Sequence, residues 1–570
     1  MSGCQSTQFD ETDPPPRALE SSSALLQQVQ SARSSEQRRQ LQLLAARALL
    51  NEQNAEAALA LLEDLVPSDL SREQRQAAAK ISSEALVQLG DYMRARQALA
   101  GIETLQTKHY LLLGRVCSAL NQHQCAADAY IQAAHRAGLE SSDLPADIHD
   151  LIWFSLSRAR QAPTEFTQRY HHAWWQLQQQ LRQAVSAAAQ VDTWQQWQRA
   201  NPSHPARIRP PQLLQQLNRY AMPHIAVLLP LSGPLAGAGG AVRDGLIGAL
   251  LSDQAANKPS VRFYDTQTQD LGPLFEKILS TGADVIVGPL LKDQTERFAE
   301  LTQFDTIPRL LLNYPSPPDS AMAHQSQADQ GLFKFGIAIE DEISSLADHV
   351  MHQGHEKVAV IHSRDSWSLR AREAYLTDWP YPAIQASFGD IKGITAAVGD
   401  AMQVTASDAR RDEIARILGK SLEFQPRARS DLDAIIALTS HIEAQALVPA
   451  LSYHFADELP VFATSQIARG EDLSDLTGFQ LTEMPLFASP DAKSQTLARA
   501  FELRGNPLGE LYALGMDAYA IATWLPLLNH SSQIALNGTT GEIELRADGA
   551  FHRILEVSEI NRTGGLDAAL

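Results

Sequence analysis

Two short segments of the chain carry residue types suited to holding a ligand. Each follows an apolar run, the first at residues 224–229 and the second at 357–363. Hydroxyl and glycine residues after the first run would present backbone N–H groups at the start of a helix, where an anionic group is stabilised. Residues after the second run would face them across a cleft. The candidate cleft residues are Ser232, Gly233, Gly237, Ser363, Asp365 and Trp367.

A purely structural role is the alternative for this set. Ser232 would then cap the helix that follows it, and Trp367 would fill the gap between two lobes. The loop at 230–240 lacks the Gly-Lys-Ser/Thr of a P-loop and the glycine spacing of a dinucleotide fingerprint. We therefore predict that no nucleotide cofactor binds there.

Catalytic signatures are missing from the sequence. It contains no Gly-x-Ser-x-Gly elbow and no His-Glu-x-x-His zinc motif. Asp265, Asp365 and Glu443 could meet in a cleft, but carboxylates at strand ends and helix starts usually act as caps. The three cysteines fit no paired zinc-binding motif. We predict a protein that is not an enzyme and that holds no cofactor and no metal.

Cys117 and Cys125 flank a predicted turn between two helices. In an oxidising compartment they could form a disulfide if their Cα atoms approach within about 7 Å. Two buried free thiols are the alternative.

Cys4 follows Met1-Ser2-Gly3 and precedes a polar tract that contains three prolines. This arrangement resembles the end of a bacterial lipobox followed by a flexible tether, although Met1 stands where that motif has Leu and no charged, apolar signal segment precedes it. The resemblance implies a lipidated Cys4. Gln5 rather than Asp follows the cysteine, and resemblance to the lipoprotein sorting rule then implies the outer membrane. An ordinary exposed cysteine is the alternative.

The elements that position these residues belong to a large acidic chain of ordinary globular composition. It has 570 residues, 44% of them hydrophobic and 20% charged, with a formal net charge of -19. The negative charge and the lack of a Lys/Arg run disfavour nucleic acid as a partner. No stretch of about 18 uninterrupted apolar residues occurs, so we expect no transmembrane helix, and any membrane attachment is expected to be covalent or peripheral.

Residues 20–200 have the pattern of amphipathic helices, with apolar residues at spacings of three and four. Three similar segments, 45–53, 85–92 and 116–123, each read as a helix end and a turn, and small residues follow each of them. This predicts tetratricopeptide-like (TPR-like) helical hairpins, with a plain helical bundle as the alternative. Five of the eight tryptophans lie within 153–197, where a packed joint is favoured over a binding platform.

From residue 223 onward, short apolar runs alternate with helical stretches. This alternation predicts doubly wound parallel sheets, and two sets of strands predict two lobes with a cleft between them. The predicted strands lie at 224–229, 261–265, 284–289 and 309–313 in one lobe, and at 357–363, 434–439 and 460–464 in the other.

Several motifs of this α/β half resemble a known family. "LLPLSGPLAGAGGAVRDGL", "DVIVGPL", "LLLNY" and "MDAY" are similar to the type I periplasmic-binding-protein fold and, more narrowly, to the LpoA family, also called LppC. "WQQWQRANPSHPARIRPP" and "GTTGEIELRADGAFHR" are similar to that family too, so the resemblance covers nearly the whole chain. It implies a non-enzymatic outer-membrane lipoprotein that binds a bifunctional class A penicillin-binding protein and activates its transpeptidase, thereby regulating peptidoglycan synthesis.

The predicted order of domains follows from these patterns. We expect a lipid anchor and tether at 1–19, a TPR-like helical domain at 20–200, a proline-rich joint at 201–222 and a two-lobed domain at 223–570. The resemblance implies a stalk reaching through the peptidoglycan, which is a further candidate partner. The rival function is a periplasmic lipoprotein whose cleft closes on a solute or a muropeptide.

Overall fold

The structure is a computed structural model that describes most of the chain. It describes residues 21–569 except 139–140, 160, 167–168, 268–270, 302–306, 316–330, 422–428, 471, 489–495, 497–498, 500–502, 504–505, 529–534 and 547. The predicted lipidation site Cys4 and the predicted tether at 1–19 lie outside the described residues.

The chain divides into two compact units. One comprises the residues up to 179 together with 200–212, and the other comprises 180–199 together with 213–570. The segment 180–199, predicted above as the end of the helical domain, thus belongs to the second unit. The backbone N–H of Ala187 donates a hydrogen bond to Thr523 Oγ1 at 3.0 Å, which fixes this segment to a helix far along the chain. A helical pattern alone does not indicate such a contact.

Between residues 21 and 217, the regular elements of the described residues are helices. In order they are α1 (Ser22–Ser31), α2 (Ser35–Asn51), α3 (Ala55–Glu63), α4 (Arg72–Gln88), α5 (Tyr92–Ala100), α6 (Thr107–Ala119), α7 (His123–Ala137), α8 (Ile148–Arg158), α9 (Arg169–Gln183), α10 (Ala187–Ala200), α11 (Pro205–Ile208) and α12 (Gln212–Leu217). Local side chains define their starts: Ser71 and Gln74 form a capping box at α4, and the Asp91 carboxylate accepts the N–H of Arg94 at α5.

Helices α2 to α7 pack as three successive pairs. Ala58, Ala95 and Ala126 are fully buried, because small side chains let the second helix of each pair approach the first. Gly114 of α6 lies against the ring of Tyr130 of α7, where an added Cβ would overlap that ring. These pairs confirm the predicted TPR-like hairpins.

The first sheet of the second unit has the strand order β11-β12-β13-β5-β4-β3-β1-β2. Its strands are β1 (His224–Leu229), β2 (Ser260–Asp265), β3 (Val285–Val287), β4 (Arg309–Leu311), β5 (Leu332–Phe335), β11 (Ala535–Asn537), β12 (Glu542–Leu545) and β13 (Ala550–Ile554). The intervening helices are α13 (Ala236–Ser252), α14 (Leu271–Ser280) and α15 (Lys292–Ala299).

The second sheet has the order β15-β14-β10-β9-β8-β6-β7. Its strands are β6 (Val358–Ser363), β7 (Ile384–Phe388), β8 (Ala434–Leu438), β9 (Val461–Ala463), β10 (Gln480–Glu483), β14 (Glu556–Ile560) and β15 (Leu566–Ala568). The helices of this part of the chain are α16 (Ile339–His352), α17 (Ser366–Asp378), α18 (Ile394–Ala401), α19 (Val404–Leu418), α20 (His441–Tyr453), α21 (Pro485–Ala488) and α22 (Gly509–Leu528).

Two sheets in one chain confirm the predicted two-lobed α/β architecture, with β1, β3 and β4 parallel in one lobe and β6, β8 and β9 parallel in the other. Both sheets are mixed rather than parallel throughout, since β12 pairs antiparallel with β13 and β10 pairs antiparallel with β14. The chain passes between the sheets three times, after β5, after β10 and after β13.

Helix α22 is a long, apolar helix of the second unit. It has 20 residues and a mean hydropathy of 1.3 in its most apolar window, so by length and composition alone it could cross a membrane. The criterion of about 18 uninterrupted apolar residues does not detect this segment, because polar residues interrupt it. In the structure 89% of that window is buried, as expected for the core helix of a globular lobe.

Candidate functional site

The loop after β1 holds Ser232, Gly233 and Gly237. Gly233 has a φ of +71°, a left-handed conformation that favours glycine. Asp265 at the end of β2 accepts the N–H of Leu231 at 3.0 Å, and Ser232 also bonds to its carboxylate. Burial acts to raise the pKa of Asp265, but the hydrogen bonds from Ser232 and the backbone outweigh it and lower that pKa. Ser232 therefore fixes the loop to Asp265 and does not cap a helix through its side chain.

Gly237 lies in the first turn of α13 and is exposed. A Cβ added there would sit 3.6 Å from Leu508 Cδ1, just before α22. The loop thus faces the chain that enters α22, and a Cβ at this position would make an ordinary van der Waals contact with Leu508.

In the second lobe, Ser363, Asp365 and Trp367 surround the start of α17. The Ser363 hydroxyl donates to Asp365 Oδ2 at 3.3 Å, and the Ser363 N–H donates to Ser368 Oγ at 3.1 Å. Trp367, in the first turn of α17, is half-buried. It packs against the core of its own lobe, to which α16 and α17 both contribute residues. Among the described residues, no hydrogen bond or ring contact joins these three residues to Ser232, Gly233 or Gly237.

The three candidate acids have separate local roles. Glu443 forms a capping box with Ser440 at the start of α20, accepting its N–H at 2.7 Å. Asp265 fixes the loop after β1, and Asp365 bonds to Ser363. The described residues contain no cluster of His, Cys, Asp and Glu that could hold a metal ion.

A network of buried acids at the crossings between the lobes was missed by the sequence analysis. Glu342 in the first turn of α16 is 2% exposed, and its carboxylate accepts hydrogen bonds from the Ser465 N–H at 2.9 Å and the Ser465 hydroxyl at 3.0 Å. Burial raises the pKa of Glu342. Burial likewise raises the pKa of Glu483, at the end of β10, to about 8, with the nearby Glu342 and Glu510 acting in the same direction.

Asp341, next to Glu342, lies just after the first crossing and bonds to β13, which precedes the third crossing. Its carboxylate accepts hydrogen bonds from His552 Nδ1 at 2.8 Å and from the Arg553 N–H at 3.2 Å. The acids at 340–342 look in sequence like the solvated first turn of a helix, where acidic residues are favoured. The pattern gave no signal that Asp341 and Glu342 are buried, since their partners lie more than 100 residues away.

The disulfide candidates lie in the first unit. Cys117 at the end of α6 and Cys125 in α7 form a disulfide, with their Cα atoms 5.8 Å apart. Cys117 is fully buried, so the bond closes the turn of this helix pair from inside.

A groove of about 620 Å³ lies between α2 and α4 of the first unit. Leu44 on this surface is 51% exposed, and charged side chains form the rest of the rim. The lining residues are Leu43, Leu44, Arg47, Arg72, Glu73, Gln76, Ala77, Lys80, Ile81 and Glu103.

Two lobes built from separate sheets and joined by three crossings define the second unit as a two-lobed domain of the type I periplasmic-binding-protein class. The family model described as "LppC putative lipoprotein" matches residues 15–561. The chain therefore belongs to the LppC family.

Curated relatives and a solved structure resemble the chain over most of its length. The "Penicillin-binding protein activator LpoA" of Vibrio cholerae is 24% identical over 544 residues, covering 91% of this chain and 88% of the relative. The protein of the same name from Aliivibrio fischeri is 26% identical, covering 72% and 70%. Crystalline LpoA of Haemophilus influenzae has a TM-score of 0.51 and 19% identity, covering 97% of this chain and 98% of that one, which supports the fold.

Proposed function

We propose that the protein is a non-enzymatic activator of a bifunctional class A penicillin-binding protein, acting on its transpeptidase and so regulating peptidoglycan synthesis. The observation that carries this proposal is the family match over residues 15–561, together with relatives named as penicillin-binding protein activators. The acids of the second unit support a role without catalysis, since Asp265, Glu342 and Glu443 are engaged in internal hydrogen bonds.

Activation without chemistry requires differential binding. The protein must bind the active conformation of the synthase more tightly than the inactive one. Each tenfold increase in the active population needs about 1.4 kcal/mol of such preference. The two-lobed domain and the helical TPR-like unit each offer surfaces for contacts of that kind.

The proposed site of action is the periplasmic face of the outer membrane, with Cys4 as the lipidated residue. The description of the LppC family as lipoproteins supports this assignment. Metabolic labelling with palmitate tests it: label should enter the wild-type chain and be absent from Cys4→Ser. Labelling that persists in Cys4→Ser would exclude Cys4.

A peptidoglycan cross-linking assay tests the activator function. Purified class A penicillin-binding protein from the same organism is given lipid-linked substrate with and without the full chain, and peptide cross-links are counted. We expect more cross-links per disaccharide with the full chain, and the same chain heated to irreversible unfolding as control should have no effect. An unchanged product despite measured complex formation would reject the activator function.

The two-lobed fold supports a second candidate function, a lipoprotein that binds a solute or a muropeptide between its lobes. Ser232, Gly233, Gly237, Ser363, Asp365 and Trp367 are the residues proposed to line that cleft. Thermal shift measurements with defined muropeptides test this function. Stabilisation by a muropeptide that is lost in Asp365→Ala, without loss of synthase stimulation, would separate the two functions.

A further inference from the structure

A pocket at the edge of the second sheet shares no lining residue with the candidate cleft set. It has a volume of about 420 Å³, within the range of small-molecule sites. Its lining residues are His362, Arg364, Leu369, Arg372, Gln385 and Ser387.

Strand register and helix spacing explain why these side chains meet. His362 of β6 lies opposite Ser387 of the edge strand β7, so both point to the same face of the sheet. Gln385, two residues before Ser387, lies on that face too. Leu369 and Arg372 are three residues apart on α17 and are therefore neighbours on the helix surface.

Helix α17 covers only part of this face. Ala371 and Tyr375 of α17 pack with Val360 of β6 in the core of the lobe. Gln385 and Ser387 of β7 remain exposed, whereas the alternate residues Ala386 and Phe388 are buried on the opposite face. The pocket is the space between α17 and the uncovered polar face of β7.

The charges that line the pocket are all positive. Arg364 and Arg372 line it, and no Asp or Glu does. Burial lowers the pKa of the His362 imidazole, the bond from its ring to the Ser363 carbonyl opposes that effect, and Arg372 and Arg364 lower it further. The chain has a net charge of -19, so a pocket lined by two arginines and no carboxylate has a charge of opposite sign to that of the whole protein.

Arg372 has a donor without an acceptor. Its Nε is buried, and among the described residues no group accepts its hydrogen. A buried donor left unpaired destabilises a protein, and buried polar groups are satisfied in the great majority of structures. The other N–H groups of this planar guanidinium match the geometry of a carboxylate or a phosphate, so an oxyanion in the pocket would bind at Arg372 through them.

We propose that this pocket binds a small organic oxyanion, a carboxylate or a phosphate, through Arg372 and Arg364, with the Gln385 amide and the Ser387 hydroxyl as neutral donors. The assignment goes beyond the proposed activator function and does not depend on it. A terminal carboxylate of a peptide and a free small anion offer the same chemistry. The experiment therefore uses probes of both kinds.

Isothermal titration of the full chain at constant ionic strength tests the proposal. The probes are citrate, inorganic phosphate and the tripeptide Ala-Ala-Ala with a free or an amidated carboxyl terminus. We expect saturable binding of at least one oxyanion, weakened roughly tenfold or more in Arg372→Gln, because a charge-assisted hydrogen bond is lost. Binding of the free but not the amidated tripeptide would identify a peptide terminus as the ligand source, and binding of citrate or phosphate alone would identify a free anion.

Arg370→Gln is the matched control. Arg370 lies on the same helix, pairs with Glu340 at 3.0 Å and does not line the pocket, so its replacement should leave affinity unchanged. Arg364→Gln, at an exposed position, gives a second measurement if Arg372→Gln fails to fold. Absence of binding by all probes, or equal weakening in Arg370→Gln, would overturn the proposal.

Discussion

Asp517 shows what a single buried carboxylate contributes to this fold. It belongs to the "MDAY" segment of α22, is 2% exposed and accepts the N–H groups of Thr539 at 2.7 Å and Thr540 at 2.8 Å. Both threonine hydroxyls bond to it as well. One side chain thereby connects two of the motifs on which the family resemblance rests, "MDAY" and "GTTG".

We predict that Asp517→Ala lowers the free energy of unfolding by about 3 kcal/mol or more, because it leaves two buried backbone donors without an acceptor. Urea unfolding followed by tryptophan fluorescence measures the change. Glu458→Ala, at an exposed carboxylate, is the control and should shift stability by less than about 0.5 kcal/mol. Equal effects of the two substitutions would contradict this role of Asp517.

At the scale of elements, α13 and α22 cross at reciprocal glycines. A Cβ on Gly245 would overlap the Tyr512 carbonyl oxygen, and a Cβ on Gly515 would overlap the Val242 carbonyl oxygen. The two backbones are therefore in direct contact, and only glycine leaves room at both positions.

We predict that Gly245→Ala and Gly515→Ala each destabilise the second unit by about 2 kcal/mol or more, since an added methyl group forces the helices apart. Gly240→Ala on the same helix is the matched control, because nothing lies within 4 Å of its Cβ position. It should be neutral or stabilising by up to about 1 kcal/mol, as expected for Gly to Ala inside a helix. Thermal melts of the three variants check this, and similar losses in all three would refute the crossing as the cause.

The turn between α6 and α7 is the second element whose stability can be tested. The disulfide closes a loop with a sequence separation of 8, for which chain entropy gives a stabilisation of about 2–3 kcal/mol. We predict that dithiothreitol lowers the melting temperature of the wild-type chain. The double variant Cys117→Ala with Cys125→Ala should melt at this lower temperature and be insensitive to the reductant. A wild-type melting temperature unaffected by full reduction would argue against the prediction.

The elements also show where sequence patterns succeed. The strands β1, β6 and β8 are built mainly of apolar residues buried on both faces, and a run of that kind is visible in any sequence. The strands β7 and β12 alternate or are partly exposed, and their pairing depends on distant partners, so no local pattern marks them strongly. Local patterns thus predict the core strands better than the edges.

At the scale of the whole molecule, the side chains that were hardest to predict are the buried acids where the chain crosses between lobes. The two lobes follow from two sets of apolar runs. The buried acids Asp341, Glu342 and Glu483 depend on which distant segments meet, and nothing in their local sequence marks them. The positions of the candidate cleft residues after β1 and β6 could be predicted from sequence, whereas their hydrogen-bond partners could not.

The raised pKa of Glu483, just before the second crossing, predicts how the stability of the two-lobed unit depends on pH. Glu483 is 8% exposed and has an ordinary pKa of 4.5 in the unfolded chain, while burial raises its pKa to about 8 in the folded one. The folded state therefore holds a proton that the unfolded state releases. This contribution is present in full below pH 4.5 and is lost as pH rises toward 8, with a slope of at most about 1.4 kcal/mol per pH unit.

Glu483→Gln keeps a neutral side chain of the same shape and an oxygen that can accept the Met484 N–H, which Glu483 Oε1 accepts at 2.7 Å. We predict that this variant is close to wild type at pH 5 and more stable than wild type at pH 8, as measured by urea unfolding at both values. Glu458→Gln, at an exposed position, should retain the wild-type slope. If Glu483→Gln also retained that slope, the proton held at the crossing would have to reside elsewhere, and Glu342, whose pKa burial raises in the same direction, would be the residue to replace next.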